Sequence, residues 1–246
     1  MNMRKSVSTS VDWKTLAATL FPGGHTVVEQ DNFLTGTAQV DGNTVTVIGT
    51  TGHAAIGVEI ALMQAQAILA TVRNFPQRAI VILVDTQGQR LRHRDEMLGI
   101  NSYMAQLAKC IDLARRRQHK IVGLVYDQAL SGGFITSGLM ADACYALPQA
   151  SIRVMGLAAM ARITKVPEAR LTELAKSNPV FAPGAVNYLH MGGIEAIWDA
   201  DLAQQLILAL NSANPQDQRS AAGLQRGGRS QAWTVTQAVI DHAGPP

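Results

Sequence analysis

The sequence predicts an α/β fold built from right-handed βαβ units. Three observations predict it. Residues 79–84 form a continuous apolar, β-branched run, and residues 120–126 form a second; such runs suit strands covered on both faces. Helical patterns at 58–73 and from the end of a polar loop (90–96) to about His119 alternate with these strands. Both strands end in glycine-bearing turns, and ligands of such folds bind beyond the carboxyl ends of strands.

The elements follow in order. Residues 11–20 read as a short amphipathic helix ended by Pro22-Gly23-Gly24. Residues 37–40 and 44–48 alternate in polarity around Asp41-Gly42-Asn43, a hairpin signal. The second of these strands ends at Gly49, and 50–57 read as a loop. In the helix at 58–73, Ile60, Met63, Ala67 and Val72 recur at three- and four-residue steps until Asn74-Phe75-Pro76 stops it. The strand at 79–84 ends at Asp85-Thr86-Gln87-Gly88-Gln89. The next helix closes on basic residues 115–120, which complement its dipole. The strand at 120–126 feeds a turn at 127–133, and a helix is expected over 134–141. Short strands follow at 144–147 and 151–155. Helices are expected after Gly156, from Val166-Pro167-Glu168 to Asn178-Pro179, and from Pro183-Gly184. An edge strand at 194–198, a helix at 199–211, a loop-like tail at 214–230 and a short helix at 232–242 complete the chain. The expected division is an N-terminal helical segment (1–24), one α/β domain (25–213) and a C-terminal tail (214–246).

Composition narrows the functional classes. The chain has 246 residues, 47% apolar and 16% charged, enough for a sizeable core. A formal charge of +3, without zinc-finger spacing or RNA-binding aromatics, gives no reason to expect nucleic acid. Cys110 and Cys144 sit in apolar stretches and read as reduced, buried thiols. Arg4 and Lys5 precede no apolar run, so no signal peptide is expected, and no stretch suits a membrane span. A soluble, cytoplasmic protein is the expectation. There is no HExxH, CxxC, P-loop or GxGxxG, so no metal and no nucleotide is expected.

Two turns carry the chemistry. Ser131-Gly132-Gly133 lies between a buried strand and a helix rich in small residues. Paired glycines let backbone approach a ligand, and amides entering a helix have no intrahelical acceptor. Such a turn suits an enolate, a tetrahedral oxyanion or a carboxylate; read by itself, it is equally a plain tight turn. Gly88, or Gln89, at the neighbouring strand end offers a second backbone donor. Ser131, Gln128 and Tyr126 are side-chain candidates beside the turn. His53, in the loop after the second hairpin strand, is positioned to approach it, whereas His190 reads as packing or capping. The basic group Arg90, Arg92, His93 and Arg94 follows the first turn and suits phosphates or an acidic partner, or simply a solvated loop.

Together the segments VILVDTQGQ (81–89), VGLVYDQALSGGFITSGLMADACYALPQASIRVMG (122–156) and GAVNYLHMGGIEAIWD (184–199) resemble the carboxyltransferase family of the crotonase superfamily. Within that family they resemble the gamma subunits of biotin-independent malonate decarboxylases. The resemblance implies a single crotonase-like domain, a spiral of ββα units of carboxyltransferase type. It implies a beta subunit as partner and malonyl thioester as substrate. The thioester would ride on an acyl carrier subunit whose phosphoribosyl-dephospho-CoA-type arm is the only prosthetic group, with no cofactor bound by this chain. Loss of CO₂ would leave an enolate, protonated to acetyl thioester, a carbon–carbon lyase reaction. Gly132, Gly133, Gly88, Gln89 and Ser131 would form one oxyanion hole, with Arg90, Arg92, Arg94 and Gln128 meeting substrate or carrier. Two departures bear on biotin: Gln87 replaces the proline of Asp-Thr-Pro-Gly, and Phe134-Ile135 follows the Gly-Gly pair. The chain has half the length of a two-domain carboxyltransferase, which implies a partner carrying the other half. The alternatives are half of a biotin-dependent acyl-CoA carboxyltransferase and a non-catalytic partner of the beta subunit.

Overall fold

A computed structural model describes residues 11–176, 184–228 and 230–244. Residues 1–10, where no signal peptide was expected, the helix stop at Asn178-Pro179 and Pro183 lie outside the described residues. Helix α1 (Trp13–Leu20) is capped by the Asp12 carboxylate, which accepts from the Thr15 amide. Strand β1 (Val28–Gln30) and the hairpin β2 (Phe33–Val40) and β3 (Asn43–Thr50) follow. Asp41 and Gly42 both take positive φ, as the expected Asp-Gly hairpin requires. The loop expected at 50–57 contains a short strand, β4 (Ala54–Ile56), before α2 (Val58–Asn74).

The central pair is β5 (Ile80–Gln89) and β6 (Ile121–Leu130), joined by α3 (His93–Met97) and α4 (Ile100–Arg116). Both strands run further than their apolar runs. The reason is a change of neighbour: β5 pairs with β3 from Ile80 to Leu83, then with β4 from Thr86 to Gln89. Likewise β6 pairs with β7 (Ala143–Ala146) over its first half and with β8 (Ser151–Arg153) over Gln128–Leu130. The new partners satisfy the backbone of polar residues that would otherwise end a strand. The sheet order is β1-β2-β3-β5-β6-β7-β9, with β9 at Ala196–Ile197, antiparallel through β3 and parallel beyond. Side chains alternate between two cores. Val81, Leu83, Val122 and Leu124 face α1 and α9 (Leu202–Ser212), whereas Ile80, Ile82, Ile121 and Val125 face α2 and α4. Truncating fully buried Leu83 to Ala would cost about 2–5 kcal/mol.

After β6 the chain turns into α5 (Ser131–Ile135) and a single 3-10 turn (Gly138–Met140), where one helix over 134–141 was expected. Helices α6 (Leu157–Thr164), α7 (Glu168–Leu174) and α8 (Ala185–His190) follow. The stretch expected as loop at 214–230 contains a helix, α10 (Arg219–Gln225), and the short helix expected at 232–242 is α11 (Ser230–Ala243). Arginine anchors hold α10, because Arg219 Nη1 donates to Leu139 O and Arg226 Nη1 to Leu189 O and Ile194 O. At the end of α4, Arg115 pairs with buried Asp142 at 2.7 Å, and Asp142 also accepts the Ile121 amide. Among the described residues, no helix is long and apolar enough to cross a membrane.

Candidate active site

The extended ends of β5 and β6 bring the two glycine turns into contact. A Cβ built on Gly133 would lie 3.0 Å from Gly88 Cα, 2.8 Å from Thr86 Oγ1 and 3.0 Å from Ile56 Cγ1. Gly133 is therefore required for packing as well as for any chemistry. Gly132 differs, because its Cβ would meet only the flexible ends of Gln89 (Oε1, 3.0 Å) and Met104 (Cε, 3.3 Å).

Two donors of the turn converge on one oxygen. Gln89 Oε1 accepts the Ser131 hydroxyl at 3.0 Å and the Gly132 amide at 3.3 Å. The Gly133 amide forms no hydrogen bond with another described residue. Two convergent donors on one oxygen are an arrangement that can hold a small anion. Gln89 thus enters the turn through its side chain, as an acceptor. Ser131 takes φ 52, a left-handed conformation uncommon for a residue with a Cβ, and this aims its hydroxyl at Gln89.

Gly88 is not a free donor in this conformation. Its φ of 96 folds the amide back, and it donates to Thr86 Oγ1 at 3.0 Å. The Thr86 hydroxyl in turn donates to Ala54 O at 2.7 Å, fastening β4 to the turn. Gly88 contributes by having no side chain, since a Cβ there would lie 2.9 Å from that of Ser131. Thr86, buried and central to this network, was not singled out by the sequence, because one threonine at a strand end carries no signal.

The basic loop is largely engaged within the chain. Arg92 Nε binds Asp95 Oδ2 at 2.6 Å, and Arg92 Nη2 lies 3.6 Å from Glu59; Arg94 pairs with Glu59. The Arg92 guanidinium holds the Asp95 carboxyl below its ordinary range, and Asp95 accepts the Val58 amide at the start of α2. Among the described residues, Arg90 has no carboxylate at ion-pairing distance, which leaves it as the available cation of this group. Gln128 is half-buried, and its amide donates to Asp85 Oδ1 at 3.3 Å. The Tyr126 hydroxyl is buried and donates to Thr50 O, a packing role. His190 stands exposed in the last turn of α8.

Arg153 is a functional candidate that sequence reasoning passed over. It lies on β8 in register with Leu130, the residue before the turn. Its guanidinium bonds only the Ser151 hydroxyl, and among the described residues no carboxylate pairs with it. Burial pushes its pKa down, yet an arginine remains charged. A half-buried cation without a counter-charge, one strand from an anion hole, suits an anionic ligand. The only sequence signal was a lone arginine inside an apolar strand pattern.

A third group lies where β5 and β6 change neighbours. His53 Nε2 is 3.3 Å from Asp127 Oδ2 and 3.6 Å from Asp85 Oδ1, and the His53 amide donates to Asp85 Oδ2 at 2.8 Å. Burial, more than any other influence, pushes the Asp85 pKa up; the amides of His53 and Gln128 oppose it, and facing Asp127 adds to it. His53 therefore joins this cluster, not the Ser131 turn.

Comparison with known proteins fits this geometry. Over residues 51–243 the chain matches the family model described as malonate decarboxylase gamma subunit. It is 31% identical to the malonyl-S-ACP:biotin-protein carboxyltransferase MADD of Malonomonas rubra, over 79% of this chain and 78% of that protein. Among solved structures it is similar to a chain of the Pseudomonas malonate decarboxylase hetero-tetramer in complex with coenzyme A. That match has a TM-score of 0.77 and 23% identity, over 93% of this chain and 98% of that one. Transcarboxylase 12S gives a TM-score of 0.71 at 21% identity, over 83% of this chain and 42% of that one. These structures share the crotonase-type fold predicted from the resemblance. The chain belongs to the malonate decarboxylase gamma subunit family.

Proposed function

We propose that this chain is one half of a two-subunit site that decarboxylates a malonyl thioester. The observation that carries the reading is the convergence of the Ser131 hydroxyl and the Gly132 amide on Gln89 Oε1. Substrate displaces that carboxamide oxygen, and its thioester oxygen takes both donors, with the Gly133 amide available as a third. As CO₂ leaves, negative charge moves from the carboxylate to the thioester oxygen. Fixed donors facing that oxygen stabilise the enolate, and one such donor is worth roughly 10²–10³ in rate. Arg153 orients the departing carboxylate, and Arg90 meets phosphates of the carrier's prosthetic arm.

A beta subunit completes the site. Exposed apolar side chains surround the turn in sequence: Leu91, Met97 and Leu98 after β5, Ile135 after the Gly-Gly pair, and Val154 after β8. Such a group is what a partner would cover. The related Pseudomonas proteins form an MdcD-MdcE hetero-dimer, which supports this pairing.

The test is reconstitution. The chain co-purified with its beta subunit should release CO₂ from malonyl carrier, and avidin should not inhibit it. Full activity of the beta subunit alone would make this chain a structural partner only. A second reading is favoured by the Malonomonas relative, which is a malonyl-S-ACP:biotin-protein carboxyltransferase. In that case the carboxyl group passes to biotin on a carrier protein, and avidin would abolish turnover.

A further inference from the structure

We infer that His53, Asp85 and Asp127 form a binding site for one divalent first-row transition-metal cation, of which Zn²⁺ and Mn²⁺ are the types that fit. The inference does not rest on the malonyl reading. The residues come from the turn before β4 and from the interiors of β5 and β6, so no sequence spacing announces them and the expectation of no metal, drawn from motifs alone, did not reach them.

The donor atoms are placed as metal ligands are. His53 Nε2, a carboxylate oxygen of Asp85 and one of Asp127 all lie within 4.8 Å of one another. The imidazole nitrogen stands 3.3 Å from Asp127 Oδ2 and 3.6 Å from Asp85 Oδ1. Two ligands each ~2.1 Å from a common ion are about 3.0–3.4 Å apart, for angles between a right angle and the tetrahedral one; the Asp127 contact falls in this range and the Asp85 contact just beyond it. Direct pairing does not account for the cluster. Asp127 is 9% exposed, and its Oδ2, sealed from solvent, accepts no hydrogen bond, although His53 Nε2 is near. A buried carboxylate oxygen without a hydrogen bond, beside a second buried carboxylate, is costly, and a cation between them removes that cost.

The remaining atoms orient this set. Asp85 Oδ2 is held by the His53 amide at 2.8 Å and Oδ1 by the Gln128 amide at 3.3 Å, which fixes the plane of the carboxylate. One imidazole and two carboxylates suit Zn²⁺ or Mn²⁺, whereas Ca²⁺ and Mg²⁺ prefer shells of oxygen alone. The His53 side chain is 47% exposed, so the coordination sphere opens to solvent on that side and can take water or an exchangeable oxygen ligand. A bound cation would tie the turn before β4 to the points where β5 and β6 exchange partners.

Calorimetric titration of the EDTA-treated, dialysed complex of this chain with its beta subunit tests the site, with ZnCl₂, MnCl₂ and MgCl₂ as probes. One Zn²⁺ or Mn²⁺ per chain is expected, with Mg²⁺ at least tenfold weaker. Asp127→Asn and His53→Gln should each weaken binding at least tenfold. Asp127→Asn without metal should melt at or above the wild type, because it removes one of two facing carboxylates; if that variant does not fold, the half-exposed His53→Gln decides. No Zn²⁺ or Mn²⁺ uptake by the wild type, or uptake unchanged in these variants, would overturn the assignment.

Discussion

The side chains of Gln89 and Ser131 meet across the ends of two neighbouring strands, with the carboxamide oxygen 3.0 Å from the hydroxyl. With the Gly132 amide at 3.3 Å, the same oxygen collects a second donor. On the proposed function, Gln89 competes with substrate for these two donors. Gln89→Ala should lower KM for malonyl carrier about three- to tenfold, the worth of one or two ordinary hydrogen bonds. Gln89→Glu places a charged acceptor there and should raise KM more than tenfold. Steady-state kinetics of both variants check this; a KM that moves the same way in both would contradict it.

Ser131 combines a strained backbone with a hydroxyl donor, and two variants separate the roles. Ser131→Gly relieves the positive φ and should stabilise the chain by about 1 kcal/mol. Ser131→Ala keeps the strain. Both lose the hydroxyl and should lose turnover alike. Thermal melts paired with rate measurements decide, and activity retained in either variant would remove the hydroxyl from the hole.

Arg153 has no carboxylate to leave unpaired, so its replacement should not destabilise the fold. Arg153→Gln should melt at or above the wild type, since a desolvated charge is removed. KM for the malonyl carrier should rise about tenfold or more, the worth of a charge-assisted hydrogen bond. An unchanged KM would leave Arg153 without a substrate role.

Both thiols should be inert in the folded chain. Burial pushes Cys144 up to about 12 and raises Cys110 as well, so neither is a thiolate at pH 8. A colorimetric thiol reagent should find none reactive in the native chain and two in guanidinium. A fast-reacting native thiol would show that one of them is accessible.

Much of this arrangement was legible in the sequence. The apolar runs located β5 and β6, Asp41-Gly42 located the hairpin, and Gly132-Gly133 located the turn. The strand ends were not legible. Asp85, Thr86 and Asp127 read as loop because alternation and apolarity identify a strand only while its neighbours stay the same. Here β4 and β8 take over as partners and supply the hydrogen bonds that make polar strand interiors tolerable. For the same reason the His53 cluster was invisible, since its members adjoin only after the strands exchange neighbours. Helix α10 was missed because its stability comes from Arg219 and Arg226 reaching carbonyls far away in sequence, not from local periodicity.

The central claim is that the Ser131-Gly132-Gly133 turn donates hydrogen bonds to a substrate oxygen. Gly132→Ala tests it most directly, because the added methyl points at the Gln89 oxygen and at the flexible end of Met104 without meeting backbone. By contrast, any side chain at Gly133 strikes Thr86 and Gly88. The measurement is kcat for CO₂ release by the complex carrying Gly132→Ala, alongside its melting temperature. Gly132→Ala should lower kcat by roughly 10²–10³ with the melting temperature little changed. A kcat within about threefold of the wild type, in a folded complex with the methyl in that oxygen's place, would contradict the claim, since a substrate oxygen held away from both donors should cost far more.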